Sequence, residues 1–256
     1  MTGVYDSGIG GLSVWKELVA QMPEQDYVYV ADSAHCPYGD KSVDYIIERA
    51  SSVVRFLTEQ GAEAVVVACN TATAAAISYL RSHFPIPFVG MEPAVKPAAL
   101  ASRTGVVGVL ATANTFKGTL YRDTVMRYAS DIRIVEVVGK GLVEAVERGE
   151  VPEELIRRYV GQMKEEGADV IVLGCTHFPF LEEAIARAAG PSVRIINPAP
   201  AVARQTRRVE ESLPHGLSGT GRREFYSTGS TAVLRRTAMM LDPSLTPDHF
   251  HRINIQ

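Results

Sequence analysis

Two stretches of the chain, GAEAVVVACNT at 61–71 and GADVIVLGCTH at 167–177, align without a gap. Each opens Gly-Ala-acid, runs through apolar residues and sets a cysteine at its ninth position, Cys69 in one and Cys175 in the other. A run that is apolar at every position describes a strand buried on both faces, and such strands belong to parallel sheets covered by helices. A second echo strengthens the repeat. TGVYDSG at the start of the chain returns as TGVVGVLAT at 104, at nearly the offset that separates the two cysteines. The repeat therefore predicts an α/β fold made of two similar domains with parallel-type sheets, flanked by helices and facing each other across a cleft.

The rest of the chain fits that scheme. Strand-like runs occur at 2–6, 26–32, 62–69, 87–90, 104–112, 133–138, 168–175 and 193–197, with longer segments of helical period between them. In the segment 43–60, Val43, Ile46, Ile47, Ala50, Val53, Val54 and Leu57 recur at steps of three and four, the mark of one buried stripe. The break between units falls near 93–103, and REFYSTGSTAVLRRTAMML reads as one more strand and helix. We expect this tail to return to the first unit, giving domains of 1–95 plus about 211–256 and of 96–210. Open α/β sheets bind ligands beyond the carboxyl ends of their strands. Asp6-Ser7, Asp32, Cys69-Asn70-Thr71, Thr112 and Cys175-Thr176-His177 all fall at such ends.

Composition narrows the class of function. In 256 residues, 46% are hydrophobic and 21% charged, with a net charge of −3, so there is no basic footprint for nucleic acid or an anionic membrane. No apolar run approaches the roughly 18 residues of a spanning helix. The N-terminus enters a strand at once, without the basic and apolar regions of a signal peptide. Three cysteines without close pairing describe no disulfide framework. Free thiols and a cytoplasmic setting are the expectation.

A cysteine at a strand end is commonly just a core filler. Two at equivalent positions, each followed by residues suited to helix capping, ask for a shared purpose. A helix N-terminus draws a thiol pKa down from about 8.5. Three chemistries compete. A redox couple would show close C-x-x-C spacing, which is absent. A zinc site could draw on Cys36, Cys69, Cys175, His35 and His177, but none of the usual paired spacings occurs, and no metal is expected. The third is acid–base work on the two faces of one carbon, in which one thiolate removes a proton and the opposite thiol supplies one.

Other residues gather around that idea. In YDSGIGG the glycines make neither a dinucleotide nor a Walker loop. Asp6 and Ser7 there suit a polar pocket wall, Ser7 toward a carboxylate and Asp6 toward an ammonium or a thiol. Pro37-Tyr38-Gly39 forms a turn whose backbone can line a ligand. Cys36 lacks a strand-end position and is read as non-catalytic. His177, beside Cys175, is an orienter or acid. Glu144 and Glu147 read as a solvated helix face.

Taken together, VYDSGIGGLSV (4–14), DSAHCPYGDKS (32–42), VVACNTATA (66–74) and LGCTHFPFL (173–181) resemble the glutamate racemase family, with a weaker continuation at REFYSTGS. The resemblance covers nearly the whole chain. It implies two α/β domains around a cleft, no cofactor, glutamate as substrate, a homodimer, and a supply of D-glutamate for peptidoglycan. It also implies that Cys69 and Cys175 are the acid/base pair, tuned by Asp6 and His177. Substrate contacts would come from Asp6, Ser7, Tyr38, Gly39, Asn70, Thr71, Thr176 and His177, with Asp32 and Glu147 as acids near the site. The chain departs from the family pattern at Gly139-Lys140, at Asn197-Pro198 and at His35-Cys36, none of which touches the cysteine motifs.

Overall fold

The computed structural model describes residues 1–91, 94–129, 131–214 and 216–255. The strands are β1 (Thr2–Asp6), β2 (Tyr27–Ala31), β3 (Ala64–Val67), β4 (Phe88–Gly90), β5 (Val106–Ala111), β6 (Arg133–Val138), β7 (Val170–Gly174), β8 (Arg194–Ile196), β9 (Arg223–Ser227) and β10 (Phe250–Arg252). Eight match the sequence expectation and β9 is the strand read in the tail. The three-residue β10 is not among the strands expected from the sequence. Helices α1 (Leu12–Gln21), α2 (Val43–Glu59), α3 (Asn70–His83) and α4 (Val95–Ala101) accompany the first strands. They are followed by α5 (Ala113–Lys117), α6 (Thr119–Tyr128), α7 (Leu142–Arg148), α8 (Glu153–Glu165), α9 (Glu182–Ala189), α10 (Ala199–Ser212) and α11 (Ala232–Leu241).

The strands form two sheets, ordered β10-β9-β2-β1-β3-β4 and β6-β5-β7-β8, with every pairing parallel. The sequence repeat is a topological one. In each unit the second strand lies on one side of the first, and the third and fourth lie on the other. The chain reverses its direction of winding between β1 and β3, and again between β5 and β7, so each sheet has a switch point there where a crevice opens. The Gly-Ala openings of the two aligned segments have a conformational reason. Gly61 and Gly167 adopt φ of +92° and +89° just past the ends of α2 and α8. That left-handed turn stops the helix and feeds the strand, and only glycine adopts it without strain.

Burial follows the pattern in most places. In α2, Ile46, Ala50, Val53, Val54 and Leu57 are buried, whereas Val43 is 55% exposed. Val43 is the first helical residue, directly after the Ser42 cap that accepts from Tyr45 N, and it lies beyond the edge of the packed face. Arg49 is buried on the same helix because Asp32 pairs with it.

One core joins both sheets, with Leu12, Trp15 and Leu18 of α1 in the same cluster as Ile171, Leu173 and Phe178. Each such side chain removed from water contributes on the order of 1.5–3 kcal/mol. Separate clusters cover the far faces, beneath α2 and α3 in one unit and beneath α4 and α6 in the other. Helix α10 follows β8 in the chain but packs on α1, and its buried Glu210 accepts a hydrogen bond from the Thr2 hydroxyl. The packing thus draws this helix to the first sheet, although all but its last two residues lie within the segment 96–210. Pro93, where the expected break begins, lies outside the described residues. No described helix is long and apolar enough to cross a membrane.

Candidate active site

The carboxyl ends of β1, β3, β5 and β7 converge, and the residues just past them wall a narrow cleft. Ser7, Tyr38, Gly39, Cys69, Asn70 and Thr71 line it from the first unit, and Thr112, Cys175, Thr176 and His177 from the second. About 10 Å³ inside is open to the centre of a water molecule. The cleft is held shut by polar contacts between the units. Thr71 Oγ1 meets Thr112 Oγ1 at 2.9 Å, Asn114 Nδ2 donates to the carbonyls of Tyr38 and Lys41, and Ser13 Oγ donates to Thr176 O at 2.9 Å. A larger cavity, about 740 Å³, lies elsewhere, with Arg81, Lys96, Arg127 and Arg204 in its wall.

Cys69 is the N-cap of α3, and its sulfur accepts from Ala72 N at 3.4 Å. It also faces Ser7 Oγ at 3.7 Å. The expected acidification by the helix end does not prevail. Burial, helped by the negative charge of Asp6, pushes this thiol up to about 12 against the pull of Ala72 N–H and Ser7.

Cys175 has a different setting. It is followed by a turn and a short 3₁₀ segment, Phe178–Leu181, with a proline in its first two positions, and α9 starts only at Glu182. The expected helix N-terminus is therefore missing on this side. In its place, Cys175 Sγ lies 3.8 Å from His177 Nδ1. The other ring nitrogen, Nε2, is 2.7 Å from Glu147 Oε1, which also accepts from Ile9 N at 2.8 Å. Burial alone would lower the His177 pKa, but Cys175, Cys36 and Glu147 outweigh it, and the imidazole is held well above 6.5. Burial likewise raises Glu147, but the His177 hydrogen bond and charge and the Ile9 N–H bring it below its ordinary value. Glu147 is thus no solvated residue, while Glu144, one turn earlier, is exposed.

Asp6 bridges the units. It accepts from Gly8 N at 2.8 Å and from the Thr176 hydroxyl at 2.9 Å. Burial raises its pKa, which the positive His177 and these two donors offset only in part. Asp32 lies outside the cleft lining. Both of its oxygens are engaged by Arg49, and it also accepts from Tyr38 Oη at 2.5 Å and Thr228 Oγ1 at 2.8 Å, so it anchors Tyr38. Asn70 is buried at the cleft wall, and its Oδ1 has no hydrogen-bond partner among the described residues.

The glycine-rich turn after β1 packs closely against the second unit. A β-carbon at Gly8 would fall 2.0 Å from Glu147 Oε1, and one at Gly10 would fall 2.3 Å from His177 Nδ1. The stretch is the turn and pocket wall expected from its sequence, and nothing local in that sequence marks its packing against His177 and Glu147. Thr112 lines the cleft at a strand end, where the sequence pattern expects ligand-facing residues, whereas nothing local in the sequence marks Asn114 for its contacts with Tyr38 and Lys41. The place of Thr112 at the end of β5, equivalent to Ser7 after β1, was the available clue.

Known proteins resemble this chain in sequence and fold. Residues 10–206 match the Asp/Glu/hydantoin racemase family. The glutamate racemase of Methylococcus capsulatus is 47% identical over 249 residues, covering 95% of this chain and 92% of that protein. Among solved structures, Escherichia coli glutamate racemase in complex with L-glutamate and the activator UDP-MurNAc-ala superposes with a TM-score of 0.89 at 30% identity, over 100% of this chain and 98% of the other. The Francisella tularensis glutamate racemase in complex with D-glutamate gives 0.84 at 26% identity, over 99% and 97%.

Proposed function

The chain belongs to the Asp/Glu/hydantoin racemase family and is an amino-acid racemase, and from that premise we propose that it interconverts L- and D-glutamate with two thiols and no cofactor. The observation that carries this reading is that Cys69 and Cys175, past equivalent strands of two sheets, line one cleft.

Each turnover starts with one sulfur as thiolate and the other as thiol. The thiolate takes the α-proton, and the thiol gives its proton to the opposite face of the same carbon. The configuration inverts, and the two sulfurs exchange protonation states. The α-proton is far less acidic than a thiol, so positioned proton transfer, worth about 10²–10⁴-fold, meets only part of the barrier. Orientation and prearranged donors supply the rest. Side-chain hydroxyls of Ser7, Thr71 and Thr176 and the N-terminus of α3 suit the carboxylates. The unpaired Asn70 Oδ1 and the Asp6 carboxylate suit the ammonium. His177, positively charged and beside Cys175, offers that sulfur a proton and a stabilising charge. The backbone of Tyr38-Gly39 closes the wall, with Tyr38 fixed by Asp32.

The narrow interior means that substrate enters when the two units part, and closing them again excludes water from the reacting centre. The wider cavity, with four cations in its wall, suits an anionic effector of the kind bound to the E. coli relative. The D-glutamate formed would serve peptidoglycan synthesis, and the working unit would be a homodimer.

The test is a panel of L- and D-amino acids incubated in D₂O. Both glutamate enantiomers should lose optical rotation and gain deuterium at the α-carbon. Exchange confined to aspartate, or tight glutamate binding with no exchange, would refute the reading.

A further inference from the structure

The third cysteine belongs to a cluster of its own. Cys36 Sγ lies 3.7 Å from Glu147 Oε1, His177 Nε2 lies 2.7 Å from the same oxygen, and the three donor atoms fall within 4.8 Å of one another. They come from the loop after β2, from α7 and from the turn after β7, so no sequence spacing announces them. We propose that Cys36, Glu147 and His177 form a binding site for one divalent cation of the zinc type, and that filling it slows the enzyme.

The donor set suits such a cation. Thiolate, imidazole and carboxylate are the groups that bind zinc, with bonds of about 2.3, 2.0 and 2.1 Å. Around a tetrahedral centre these lengths set the donors roughly 3.3–3.6 Å apart. The spacing of Cys36 from Glu147 is already close to this. That of His177 from Glu147 is a hydrogen-bond length, which widens when a cation replaces the proton between them. A water or small anion takes the fourth position. The supporting contacts are present: Ile9 N–H fixes Glu147 Oε1, and the second nitrogen of His177 faces Cys175, which orients the ring. Gly8 leaves the space, since a β-carbon there would lie 2.0 Å from Glu147 Oε1 and 3.0 Å from Cys36 Sγ. Cys36 and Glu147 are both partly exposed, so a cation can reach them from solvent.

The proton balance is simple. The cation enters, and the thiol proton of Cys36 and the Nε2 proton of His177 leave to solvent, with no change in oxidation state. Affinity therefore rises with pH. The effect on activity rests on the racemase reading: with Nε2 on the metal, His177 loses its Glu147 partner and can no longer trade its charge with Cys175.

Cobalt(II) added to chelator-treated protein reads the site without substrate, and so separately from the reaction. Wild type should show a thiolate-to-cobalt charge-transfer absorption at one cobalt per chain. Cys69→Ala should keep it, whereas Cys36→Ala and Cys36→Ser should lose it or bind at least tenfold more weakly. In the racemase assay zinc should inhibit wild type reversibly, with activity restored by chelator. Cys36→Ala should need at least tenfold more zinc for half-inhibition, measured against its own rate without zinc. An undiminished band in both Cys36 variants, or a band that disappears with Cys69→Ala, overturns the site. Cobalt binding at Cys36 with wild-type turnover unaffected by zinc overturns its control of activity.

Discussion

Cys69 and Cys175 occupy the same place in two sheets of the same strand order, yet their surroundings have little in common. Cys69 caps a helix of 14 residues and sits among neutral hydroxyl and N–H donors, with Asp6 as its charged neighbour. Cys175 precedes a proline-containing 3₁₀ turn and faces an imidazolium that is itself held by Glu147. The backbone repeat thus delivers two sulfurs to one cleft, and side chains then set them apart electrostatically. A thiol raised to about 12 by burial stays protonated at neutral pH, while Cys175 lies beside a positively charged imidazole.

Removing a sulfur tests the comparison most severely. Cys69→Ala and Cys175→Ala should each lower kcat for racemisation by about 10³-fold or more. Their residual α-hydrogen exchange in D₂O should differ between the L and D enantiomers; identical exchange behaviour would mean the surroundings do not matter. Next come the neighbours. His177→Gln should cost about 10²-fold in kcat, whereas Ser7→Ala, which removes a neutral contact, should cost about five- to tenfold. Equal losses would erase the electrostatic difference between the two sides.

Smaller effects come from packing and pH. Gly10→Ala should destabilise the protein by about 2 kcal/mol in denaturant titration, because its methyl would collide with His177 and Thr176. Gly39→Ala meets Thr112 Cβ at an ordinary 3.6 Å and should change stability by no more than about 0.5 kcal/mol. The most pH-dependent change belongs to Glu147→Gln. The raised pKa of His177 contributes stability that is complete below 6.5 and fades as pH climbs through its folded value. The lowered pKa of Glu147 contributes stability that is present above 4.5 and fades as pH falls through its folded value. The advantage of wild type over the variant, on the order of 1–2 kcal/mol, should therefore peak between pH 4.5 and 6.5. A flat difference across the pH range would deny the ion pair.

The sheets were legible because parallel strands buried on both faces must be apolar throughout, and the Gly-Ala openings mark where helix gives way to strand. Strand ends then located most of the cleft. What stayed hidden depends on contacts between the units. Glu147 looked like a solvent residue because helical spacing says nothing about partners brought by tertiary packing, here His177 past β7 and the Ile9 N–H past β1. The contact of Cys36 with Glu147 had no local sign because the two lie more than a hundred positions apart in sequence. The pKa of Cys69 also escaped, since a helix terminus is local whereas burial is a property of the whole packed interior.

The turn after β1 carries one more consequence. At positions 8 and 10 the useful feature of the residue is the atom it lacks, and that lack lets His177 and Glu147 come near from the other half of the molecule. Random drift at these two sites would therefore be filtered by a fault that surfaces across the gap, in the alignment of Cys175, while the turn itself could keep its shape. Side-chain size in this loop works as a spacer gauge, and zero is its correct setting.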